Sequence, residues 1–190
     1  MALLVTLLMV ANACSDGGDG DRESRGETPS SSSPAAPGAE SVRTTAELGK
    51  VRGRLPAARS ADVLANVTKI IESWTDAAYA GDYPRTDFAG AFAAFTADAR
   101  ALAVRQSAVL TNAAVGADLD AAEITRRVVR VDVLAPKGRL AGATARVHVT
   151  VELSGGVERT DVVRGRLLLT PSAKGWRVFG FDLSRNQEAS

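Results

Sequence analysis

Cys14 is the only thiol and His148 the only imidazole among the 190 residues. Nucleophilic catalysis of the Ser-His-Asp or Cys-His kind needs an imidazole beside the nucleophile and a third group to orient it. No such arrangement is expected from these two residues. One Cys and one His also fall short of a Cys/His zinc site and of an intramolecular disulfide. No phosphate loop, CxxC or metal-ligand run occurs, so no cofactor and no metal are expected. Ser154-Gly155-Gly156 lies between two strand-like segments with no helix behind it and reads as a hairpin turn. What remains is charge. The chain carries 23 basic and 22 acidic residues, a net of +1, without the basic excess of a nucleic-acid binder. Residues 123–190 are more basic, with 12 basic residues against 7 acidic. Arg130, Arg146, Arg164 and Arg166 fall at polar positions there. They can form a basic outer patch for anionic headgroups, acidic wall polymers or a partner protein. Alternatively, cross-strand pairs with Asp132, Glu152 and Glu158 balance them on a solvated face.

The elements that must position these residues fall into two halves. Val63, Val67, Ile70, Ile71, Trp74 and Ala78 recur every three or four residues and predict a helix over about 60–80, capped by Ser60 with Asp62 in its first turn. Gly81-Asp82-Tyr83-Pro84 ends it. Phe88, Phe92 and Phe95 predict a second helical ridge, and Thr96 with Asp98 caps a third helix to about Ala113. From about Ile124 the period becomes two. Val129, Val131 and Val133, then Val147, Val149, Val151 and Leu153, then Val163, Leu167 and Leu169, alternate with polar residues. Trp176 to Leu183 closes the series, with Phe179, Phe181 and Leu183 expected on one face. Turn residues separate the runs, which predicts an antiparallel sheet of about four strands, one face on the helices and one wet. His148 shares the wet face with Arg146, Thr150 and Glu152 by strand parity.

The N-terminus reads as an address. Residues 2–11 (ALLVTLLMVA) are apolar apart from Thr6, the length of a signal-peptide core and too short to span a bilayer. Ala11 and Ala13 fit a small-residue cleavage site, and Cys14 follows at once. Ala11-Asn12-Ala13-Cys14 resembles the lipobox of bacterial lipoproteins, with Ala11 where that box more often has Leu. The resemblance implies a lipidated Cys14, a protein exported to the outer face of the cell membrane, and two or three acyl chains as its anchor. Met1-Ala2-Leu3 carries no basic n-region, and a start codon further upstream would supply one. Residues 15 to about 45 are Gly, Ser, Pro and Ala with a net charge of −3, which predicts a disordered tether. The expected division is a signal peptide over 1–13, the anchor and tether over 14–45, and one α+β domain over 46–190.

Helices followed by a bent antiparallel sheet is the order of the nuclear transport factor 2-like, or cystatin-like, cone. FAGAFAAFTADARALA, VRVDVLAPKGRLAGATARVHVTVEL and RGRLLLTPSAKGWRVFGFDLSR resemble actinobacterial envelope proteins with such a domain. GWRVFGFD is similar to the last strand of Mce-associated proteins. The resemblance covers about 60–185 and brings no catalytic residues. It implies a cone whose interior is lined by Trp74, Tyr79, Tyr83, Phe88, Phe92 and Phe95. A filled cone points to an envelope protein partner, an open one to a small apolar ligand; a homodimer is also compatible with the fold. The leading reading is therefore a non-catalytic, membrane-anchored binding module. Two others stand beside it. One is an isomerase or dehydratase using an Asp base and a Tyr donor in the cone, as ketosteroid isomerases do, with Asp76, Tyr79, Asp82 and Tyr83 as candidates. The other is an accessory subunit of a lipid-transport or wall-synthesis complex.

Overall fold

The computed structural model describes residues 42–188. Cys14, the apolar segment before it and most of the stretch read as a tether lie outside the described residues. The order is β1 (Thr44–Gly53), α1 (Ala57–Tyr79), a 3-10 turn (Ala89–Phe92), α2 (Ala97–Arg105), α3 (Ser107–Leu110), β2 (Leu119–Ala135), a 3-10 turn (Pro136–Gly138), β3 (Gly142–Gly155), β4 (Arg159–Ser172) and β5 (Gly175–Gln187). The class is α+β, with helices packed on one sheet.

The sheet has five strands in the order β1-β2-β3-β4-β5, one more than expected. β2 to β5 form the antiparallel meander, whereas β1 pairs with β2 in parallel, so the sheet is mixed. β1 lies in a stretch without strand periodicity, because an edge strand with only Thr44, Gly49 and Val51 half-buried needs little apolar alternation. A bulge between Leu48 and Val51 breaks its register. There the Lys50 N–H donates to Asp132 Oδ1 at 2.8 Å. A Cβ at Gly49 would run into the same oxygen, so any other residue there must displace the Asp132 carboxylate from the Lys50 N–H.

The expected valine and leucine rows of β2, β3 and β4 are all buried. β5 departs from its expected parity. Leu168 pairs with Gly180 and Leu169 with Val178, which leaves Phe179 as the extra residue of a bulge. Strand period is two, so one inserted residue reverses the faces around it. Val178 is buried, Phe181 and Leu183 turn half-buried toward the core, and Phe179 stands outside at 50 % exposure.

α1 starts a turn earlier than expected. Pro56 precedes it, no acid lies in the first turn, and the Ser60 hydroxyl donates to the Pro56 carbonyl at 3.3 Å. Ser60 is therefore part of the buried stripe with Val63, Val67, Ile71, Trp74 and Ala78 rather than its cap. The second predicted helix is only the 3-10 turn Ala89–Phe92. The chain beyond it is drawn out to meet β5: Val178 N–H donates to Ala94 and Thr96 N–H to Val178. The third helix begins as expected, with Thr96 Oγ1 accepting from Ala99 N–H, but breaks at Gln106 into α2 and α3. No helix among the described residues is long and apolar enough to cross a membrane.

Candidate functional site

On the inner side of the sheet, the six residues expected to line a cone are core residues. Trp74, Tyr79 and Phe95 are fully buried, Phe88 and Phe92 nearly so, and Tyr83 is half-buried. Their rings meet edge to face, Trp74 on Tyr79 at 6.0 Å and Phe92 on Phe95 at 5.3 Å. Every polar atom on them is occupied. Trp74 Nε1 donates to Leu110 O at 3.3 Å, Tyr79 OH to Val109 O at 3.0 Å, and Tyr83 OH to Tyr79 O at 3.1 Å. Burial pushes the Tyr79 phenol well above its ordinary value; neighbouring Arg185 pulls the other way without reversing it. Such a hydroxyl stays protonated and committed to its carbonyl. The carboxylates are elsewhere. Asp82 is exposed, and Asp76, 57 % exposed, ion-pairs with Arg127, which is only 4 % exposed.

The chemistry buried at this end of the domain centres on Asp161, which is 1 % exposed. Arg159 donates to it through Nε at 3.0 Å and Nη2 at 3.2 Å, and Arg185 through Nε at 2.8 Å. Arg185 extends the network to Thr111 O at 2.7 Å and Asn112 Oδ1 at 2.8 Å. Asn112 Nδ2 in turn donates to Tyr83 OH at 2.8 Å. One guanidinium thus joins β4, β5, the turn after α3 and the end of α1. With donors from both Arg159 and Arg185, this carboxylate holds β4 and β5 together.

The outer face carries the unused groups. Register places Glu47, Arg130, Arg146, Arg166 and Asp182 on one rung across all five strands. Val128, His148, Arg164 and Ser184 form the rung on one side, and Asp132, Thr144, Leu168 and Gly180 that on the other. All four predicted surface arginines are thus exposed on this face. Three of them are paired: Arg130 to Glu47 at 2.9 Å, Arg146 to Asp132 at 3.3 Å, and Arg166 to Asp182 at 3.1 Å. The Asp132 carboxyl is held below its ordinary value, chiefly by the Lys50 backbone N–H and then by Arg146 and Arg130, against its partial burial. Arg164 meets only His148, at 3.4 Å. Partial burial lowers the His148 imidazole, and Arg164 and Arg126 lower it further. Neither Arg164 nor Arg52, at the β1 edge, has a carboxylate partner among the described residues.

Beside the arginine rung lies a groove of about 350 Å³. Leu134, Leu168, Phe179 and Gly142 line it, together with the unpaired Arg52 and the ion-paired Arg146 and Asp132. Leu134 is 47 % exposed and Phe179 half exposed. Gly142 opposite Leu134 and Gly180 opposite Leu168 leave each leucine without a side chain on one of its two neighbouring strands, and this opens the space. A sequence reading misses the groove because the bulge at Phe179 and the β1 edge that brings Arg52 alongside Leu134 are both nonlocal. It misses Arg127, Asp161 and Arg185 for the same reason.

The comparisons with known proteins bring no relative: no family model matches the chain, and neither a curated protein nor a solved structure matches it significantly.

Proposed function

We propose that this chain is a non-catalytic binding module of a cell envelope, exported and held at the outer face of the membrane by lipid on Cys14. In this reading the folded domain is a cystatin-like cone of the Mce-associated type, and it binds a partner protein through the outer face of its sheet. One contrast carries the reading. The inner phenols, the indole and the buried carboxylate all have partners, while half-exposed leucine and phenylalanine side chains and the unpaired Arg52 guanidinium line a groove on the outer face, with the unpaired Arg164 beyond it along β4. Exposed apolar residues rimmed by charge mark interaction surfaces. Asp76 and Asp82 both face solvent, which weighs against an Asp–Tyr isomerase. The groove is open to water, which favours a protein side chain over a ligand that must be largely enclosed.

The anchor and the face are tested separately. Host cells fed an alkynyl fatty acid should label the wild-type chain and not Cys14→Ser, and the variant should leave the membrane fraction. A photo-crosslinking residue at position 179 should trap a discrete partner in those cells, whereas one at exposed Lys69 of α1 should not. Equal trapping at both positions would refute the choice of face.

A further inference from the structure

Resting on the reading above, we infer that the outer-face groove takes one apolar side chain of the partner, aromatic or leucine, from a segment with a carboxylate on each side of that anchor. The size of the groove supports the anchor. About 350 Å³ suits one or two side chains, and hot spots at protein interfaces are large side chains seated in such pockets. The charges around it define the rest of the segment. Arg130, Arg146 and Arg166 already have carboxylates of their own. Arg52, which lines the groove, and Arg164, which lies beyond its far wall along β4, have none among the described residues. Arg52 lies directly across from Leu134, one strand spacing of about 5 Å away. Arg164 lies four residues along β4 from Leu168, about 14 Å at the rise of a strand. The anchor sits between Leu134 and Leu168, which are two strands and two residues apart, so an extended segment meets one guanidinium about three residues from the anchor and the other about five residues beyond it. Acidic residues at those places complete both pairs. A basic segment would meet two unpaired like charges instead. A flat anionic bilayer can approach the arginines but cannot fill a recess, and three of the arginines it would meet are already neutralised.

The test titrates the full chain with a fluorescent peptide, Glu-Ser-Ser-Phe-Ser-Ser-Ser-Ser-Glu, capped at both ends. Saturable binding is expected, weakened about two- to fivefold by either Arg52→Ala or Arg164→Ala, the range for exposed ion pairs. It should weaken further in about 1 M salt, where the screening length falls to about 3 Å. Leu134→Asp and Thr144→Trp, both at solvent-facing positions, should each weaken binding more than tenfold while leaving the circular dichroism spectrum unchanged. Equal binding of a peptide with Lys in place of both Glu residues would overturn the inference. So would binding to phosphatidylglycerol vesicles that Thr144→Trp leaves intact. If the peptide fails but position 179 crosslinks a partner in cells, the acidic-segment inference falls and the binding-module reading stands. If position 179 traps a second copy of this chain, the inference also falls. If peptide and crosslinker both fail, both readings fall.

Discussion

Asp161→Asn replaces the most deeply buried carboxylate with an amide of the same shape. It removes the countercharge of Arg185, whose side chain is 9 % exposed, and turns an N–H₂ toward guanidinium donors. Breaking a buried ion pair from one side costs about 3–5 kcal/mol. Two features place the expected value near the lower end. Arg185 keeps its bonds to Thr111 O and Asn112 Oδ1. Arg159 is 31 % exposed and can be rehydrated, so its share is that of a surface pair. About 3 kcal/mol is therefore expected, a large part of the roughly 5–15 kcal/mol that holds a domain together. With a urea slope of about 2 kcal/mol/M, the midpoint falls by about 1.5 M. Tryptophan fluorescence reads the transition, because Trp74 is buried and its indole bonds to Leu110 O beside the pinned turn. Asp182→Asn, which breaks the exposed Arg166 pair, serves as the control and should cost under about 1 kcal/mol. A midpoint for Asp161→Asn indistinguishable from that of the control would refute the argument that this cluster clamps the two ends of the domain.

Three further outcomes are expected. Ile71→Ala empties a fully buried position on α1 and should cost about 2–5 kcal/mol in the same assay, with no change in the sheet's circular dichroism band. Gly165→Ala should lower the melting temperature or prevent folding, because Gly165 has φ +141° and a Cβ there would lie 2.1 Å from the Asp182 carbonyl oxygen; an unchanged melting temperature would contradict the register of β4 with β5. Asp132 ionises more readily in the fold than in the unfolded chain, so the stability it contributes is present above the unfolded carboxyl value of about 3.9 and is lost as pH falls through its lower folded value. Asp132→Asn should therefore be the less stable protein at pH 7, with a flatter loss of stability below about pH 4.

Where position in the fold depended on local pattern, the sequence was legible. The valine alternations of β2 and β3, the Thr96 cap and the apolar stripe of α1 each lie within a few residues, and each is found where the pattern puts it. The hairpin expected at Ser154-Gly155-Gly156 falls later, over Gly156, Val157 and Glu158, because β2 keeps Ser154 and Gly155 paired in β3. The four outer arginines were legible for the same reason, since parity alone places them on the wet face. The pairing of three of them was not, because Glu47 and Asp182 reach Arg130 and Arg166 only through strand register.

The sequence by itself determined two layers, a helical one and a four-strand meander, because side-chain periodicity of 3.6 and 2 is written along the chain and burial acts on it directly. Tertiary structure alone decided the rest. β1 is a strand because β2 offers it an edge; its own residues would not form one. Phe179 faces solvent because one unpaired residue in β5 reverses the parity around it. Asp161 finds Arg185 24 residues away and, through it, Asn112 across 73. Such contacts follow from which elements are brought together, and that is set by how the whole core closes.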